Sequence, residues 1–114
     1  MIRIAAALCF LAVALGAFGA HALKSMLEVH DMVEVWRTAV FYHFVHAIAL
    51  FALALWGRSS RAPWWLLFAG ILLFSGSLYS VALTNVPWLG VITPFGGLCF
   101  LAGWAWLIAR PPRV

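Results

Sequence analysis

Charged side chains are scarce in this chain. Asp, Glu, Lys and Arg make up 9% of its 114 residues, against about a quarter in water-soluble domains. So thin a supply cannot clothe a soluble surface. With 67% of residues hydrophobic and a mean hydropathy of +1.07, the solvent of the fold is lipid. Cysteine is nearly absent too. Cys9 lies near the inner edge of an apolar stretch and Cys99 near the middle of another, so a disulfide is not expected and each thiol reads as a small buried hydrophobe. Carboxylates number three, all within Glu28–Glu34, which leaves none at the depth of any buried histidine. HExxH, paired-cysteine and phosphate-cradling glycine motifs are missing, as is any nucleophile–base–orienter set. No catalytic residues, metal site or cofactor are therefore expected. The net charge of +4 is spread over segment ends, not massed on a face, which argues against nucleic acid as a partner.

What is present is long apolar stretches. Four stand out, at residues 4–23, 36–56, 64–84 and 91–109, against the roughly 20 residues needed to cross ~30 Å of hydrocarbon. They predict an all-α chain: one membrane-embedded domain, an antiparallel four-helix bundle with the bilayer as its partner. The fourth stretch is irregular at its start, where NVPWLGVITPFGG gathers two prolines and three glycines that predict a loop or broken turn.

Charge assigns the orientation. Arg3, Arg58, Arg61, Arg110 and Arg113 share one side, giving +5, and Lys24 and Arg37 face Glu28, Asp31 and Glu34 on the other, giving −1. The positive-inside rule places both termini in the cytoplasm. Tryptophans follow: Trp56, Trp64, Trp65, Trp104 and Trp106 fall near the inner interface, Trp36 and Trp88 near the outer one. The first stretch also fits a secretory signal ending in Ala20-His21-Ala22. Its greater length and the stripe of Ala12, Gly16 and Ala20 favour a retained span suited to helix packing.

KSMLEVHDMVEVW, between the first two stretches, predicts a short amphipathic helix on the outer surface that runs into span two. Ser25 and Glu28 have capping-box spacing, and Met26, Val29, Val33 and Trp36 form the apolar stripe. His30 reads as a surface residue.

Inside the second stretch, TAVFYHFVHAIAL places two imidazoles and a phenol in hydrocarbon. At 1.5 Å per residue from Trp36, His43 lies ~10 Å deep and His46 ~15 Å. Thr38, Tyr42 and His46 recur every fourth residue, so they share a flank with His43. On the third stretch Gly76, Ser80 and Thr84 recur likewise, and Ser77 lies ~10 Å deep; His21 is shallower. Such groups must face one another or a wet cavity. The candidate polar layer is thus His21, Thr38, Tyr42, His43, His46, Ser77, Ser80 and Thr84. It can be read as interhelical glue or as a cavity for a small ligand, ion or proton, with haem or metal ligation by His21, His43 or His46 less supported.

Together LGAFGAHALK (15–24), WRTAVFYHFVHAIAL (36–50), GILLFSGSLYSVAL (70–83) and GVITPFGGLCFLAGW (90–104) resemble the bacterial inner-membrane family of unknown function that includes YgdD. The resemblance implies a small four-span membrane protein with a retained first span, and it brings no activity, substrate or cofactor. Its motifs single out Gly16, Gly19, His21, Tyr42, His43, His46, Ser75, Gly76, Ser77, Tyr79, Pro94, Gly96 and Gly97. The glycines Gly16, Gly19, Gly76, Gly96 and Gly97 are expected to serve close helix packing. The function expected is that of a non-enzymatic accessory or interaction protein, paired with other membrane proteins or with copies of itself. Small-ligand, ion or proton transport is the alternative.

Overall fold

The computed structural model describes residues 1–113, save the side chains of Arg58 and Ser59; Arg58, counted above for orientation, thus lies outside the described side chains. Four helices are long and apolar enough to cross a bilayer: Ile2–Ala20, Val33–Trp56, Arg61–Thr84 and Pro87–Ala109. These are spans one to four. No strand occurs among the described residues. Short connections make consecutive spans antiparallel, and the chain is an all-α membrane bundle.

Local chemistry sets the boundaries. Span one ends at Ala20 because His21 leaves helical geometry (φ −126°, ψ −80°). Span two ends at Gly57, whose φ of +76° suits a residue without Cβ. The Ser60 hydroxyl donates to the Leu53 and Gly57 carbonyls and so caps that end. Pro63 sits in the first turn of span three, where its missing N–H is not needed. Asn85, in the left-handed region at φ 54°, closes the span.

Two details depart from expectation. The short helix Lys24–Val29 does not run into span two. Asp31 adopts φ 57° and breaks the chain between them. Of the expected stripe only Val29 departs: it is exposed, while Met26 and Val33 pack with Trp36 around Leu27, the residue of the short helix turned furthest inward. Ser25 lies within the helix, not at its cap, and no side chain caps it. Span three contains a π-helical turn at Ile71–Ser75, which apolar periodicity could not reveal. Span four opens with 3-10 turns over Pro87–Ile92 before α-helix takes over at Thr93, in line with the broken entry expected from its prolines and glycines.

Packing follows chain order. Span one lies mainly on span two, span two on span three, and span three on span four. The Cα extents of 48 × 25 × 16 Å describe a flattened arrangement, with spans two and three more buried than spans one and four. Two apolar clusters result. One joins Ala5, Leu8, Leu50, Trp64, Leu67 and Phe100 in the half nearer the termini. The other joins Leu27, Trp36 and Ala82 at the opposite end. His43, His46, Ser75 and Ser77, buried polar residues, lie between them along the spans.

Glycines act unevenly in this packing. A Cβ on Gly96 would collide with the Phe74 backbone in the π turn, and one on Gly19 with the Trp36 indole. Gly16 lies close to Val40, with 3.4 Å between an added Cβ and the Val40 side chain. By contrast, a Cβ on Gly76 meets nothing within 4 Å and one on Gly97 only an ordinary contact. Neither serves close packing. Gly70 and Gly103, which the sequence did not single out, do: they receive Phe100 and Leu67.

Candidate functional site

Span two carries His43 and His46 into the interior, 3% and 5% exposed. His46 is closed on both sides. Its Nδ1 donates to the Tyr42 carbonyl one turn earlier at 2.7 Å, and its Nε2 accepts from the Trp104 indole at 2.9 Å. These partners place the ring proton on Nδ1. Phe100 stacks on the imidazole, with 3.7 Å between centroids. His43 is closed on one side only. Its Nδ1 meets the Tyr79 hydroxyl at 2.9 Å, and Tyr79 in turn packs on Trp36. The His43 Nε2, buried beside the span-one backbone at Leu8, has no hydrogen-bond partner among the described residues.

The hydroxyls of span three divide between neighbours. Ser75, in the π turn, donates to the Ala39 carbonyl of span two at 2.8 Å. Ser77 donates to the Phe74 carbonyl and meets the Thr93 hydroxyl of span four. Since Ser77 spends its proton on Phe74, Thr93 is the donor between the two hydroxyls. Ser77 thus shares a depth with His43 but bonds to span four.

Other residues of the expected layer stand apart. Tyr42 contributes its carbonyl and its ring, which packs on Phe74 and Phe100. Thr38 is exposed on span two, and His21 is exposed beyond the end of span one. Ser80 and Thr84 donate back to Gly76 and Ser80 of their own helix. These four do not join the two histidines. Nor is His30 a plain surface residue: half-buried, it reaches the Ala82 carbonyl of span three with its Nδ1, at 3.4 Å.

Trp104 and Thr93 were missed from sequence. Trp104 is near the end of its span and so reads as an interface anchor, yet its indole N–H reaches His46 while the ring stays 41% exposed. A helical side chain leans toward the helix N-terminus, which here means deeper into the bundle. Trp36 and Trp64 behave alike: both are buried, and they donate to the Leu15 and Leu50 carbonyls. Three of the seven indoles are therefore ties between spans. Among the described residues, no three His, Cys, Asp or Glu side chains gather in a way that could hold a metal ion.

Residues 15–97, which carry the layer from His21 to Thr93, match the family model described as "Protein of unknown function (DUF423)". The chain belongs to that family. Among its relatives is the UPF0382 membrane protein YwdK of Bacillus subtilis (strain 168), 44% identical over 86% of this chain and 84% of its own. The UPF0382 membrane protein SH2409 of Staphylococcus haemolyticus is 47% identical over 90% and 87%, and SAB0533 of Staphylococcus aureus 44% over 86% and 83%. No solved structure matches. This DUF423 chain is an uncharacterised integral membrane protein, in keeping with the resemblance its motifs carried.

Proposed function

We propose that this DUF423 chain is a non-catalytic accessory or interaction component of the bacterial inner membrane. Its partners are other membrane proteins or further copies of itself, and its polar layer holds the four spans in register. The observation that carries this reading is His46, whose nitrogens are both engaged by Tyr42 and Trp104 of the same chain. A group committed to its own fold is poorly placed to bind a substrate. Ser75 and Ser77 point the same way, since each bonds a neighbouring span. The charge asymmetry of +5 against −1 supports cytoplasmic termini.

A second reading rests on the unpartnered Nε2 of His43, a buried polar atom of the kind that marks proton or ligand pathways. One comparison separates the two. Wild type, His43→Ala and His46→Ala are reconstituted in proteoliposomes and compared for proton flux and for unfolding in mixed micelles. The structural reading expects no wild-type flux above empty vesicles and a loss of stability in both variants. A wild-type flux that either substitution abolishes without loss of stability would overturn it in favour of conduction.

A further inference from the structure

Beside the far end of span one runs a groove of about 580 Å³, roofed by the short helix and walled by span two. Its apolar lining includes Gly16, Gly19, Trp36 and Val40. The Trp36 indole packs directly on Gly19 and, tied to the Leu15 carbonyl at 2.9 Å, joins the span-one and span-two walls of the groove. The lining runs along span two from Val33 to Phe41, a rise of about 12 Å, which suits the upper part of an acyl chain.

The mouth is charged with both signs. Lys24 and Glu28 lie one helical turn apart on the short helix, both exposed, and line the groove together with Arg37, whose guanidinium is bound to Glu34. Among the described residues the only salt bridge is Arg37–Glu34, at 3.1 Å, so Lys24 and Glu28 do not pair with each other. A free ammonium and a free carboxylate one turn apart, above an apolar slot at the membrane boundary, complement a zwitterionic headgroup. We propose that this groove is a phospholipid site selective for an ethanolamine headgroup. Lys24 faces the phosphodiester and Glu28 accepts N–H donation from the primary ammonium, while one acyl chain lies along Gly16, Gly19 and Val40. A choline headgroup carries the same charges but no N–H to donate. An anionic glycerol headgroup meets Glu28 as a like charge. The site is independent of the function proposed above, and its leaflet is that of the short helix.

Native mass spectrometry of the full chain in mild detergent tests this, with ethanolamine, choline and glycerol phospholipids of identical acyl chains in equal amounts. One ethanolamine lipid is expected to be retained per chain, about five- to tenfold over the others, as befits one charge-assisted hydrogen bond. Glu28→Ala, which leaves no acceptor for the ammonium, should bring the preference over choline to about one. Ala20→Phe, at an exposed lining position, should lower retention of all three lipids while leaving the lipid-free unfolding midpoint in place. Equal retention by wild type, the mark of annular lipid only, would overturn the proposal. So would a preference for the anionic lipid, or an ethanolamine preference that survives Glu28→Ala.

Discussion

His43 and His46 leave one face of span two three residues apart, and their environments give different energetic expectations. His46 has a donor and an acceptor aligned with its two nitrogens. Trp104→Phe removes one of them and is expected to cost about 0.6–1.7 kcal/mol, the range measured for hydrogen bonds between membrane helices. Equilibrium unfolding in mixed micelles reads it directly. For His43 the expectation has a sign change built in. Tyr79→Phe strips the ring of its remaining partner and should cost about 1–3 kcal/mol, because a buried polar atom left unmade is worse than one never present. Adding His43→Leu to Tyr79→Phe should then restore much of that loss. A double variant less stable than Tyr79→Phe alone would show that the imidazole matters for something other than its bond to Tyr79.

Among the elements, span three is the one whose geometry decides most. The wide turn at Ile71–Ser75 brings the Phe74 backbone against Gly96 and turns the Ser75 hydroxyl toward the Ala39 carbonyl. Gly96→Ala therefore forces backbone apart from backbone and should destabilise by about 1–3 kcal/mol, the usual cost of overpacking. Gly76→Ala should do the reverse. That position is helical (φ −59°, ψ −43°) with open space where the methyl would go, so a gain of about 0.5–1 kcal/mol is expected. Thermal unfolding of the two variants side by side checks both. The same turn explains what sequence could and could not reveal. Apolar runs located all four spans within a few residues, because hydropathy needs only length. Periodicity assumes 3.6 residues per turn throughout. A π turn adds a residue and rotates what lies beyond it; depth, for its part, does not say which way a side chain faces, so Ser77 looked like the counterpart of His43 when Tyr79, two residues on in the same α-helix, holds that place. Thr38 and Thr84 were misjudged for a related reason: spacing tells which residues share a flank, not which way the flank faces.

For the whole molecule, orientation is the property most open to measurement. With Cys9 and Cys99 replaced by alanine, an impermeant maleimide should label Ser25→Cys in intact cells stripped of outer layers. Arg113→Cys should react only after permeabilisation. The opposite pattern would invert the threading derived from the arginines. At this scale the buried position of His43, His46 and Ser77 was legible, since polar groups in hydrocarbon must turn inward. Their pairing with Trp104 and Thr93 was not, because a tryptophan near a span end carries the same composition signal whether it anchors at the interface or reaches into the bundle.

Packing in chain order also bears on how the protein is made. Each span after the first finds the span it follows already in the bilayer to pack on, so few long-range closures are needed. His46 is the exception, for its Trp104 donor is synthesised last of all the groups in the layer. Until then the imidazole waits with Nδ1 already satisfied inside its own helix, which limits the exposure to a single lone pair. Completion of the fourth helix is thus registered by one bond reaching back across 58 residues of sequence.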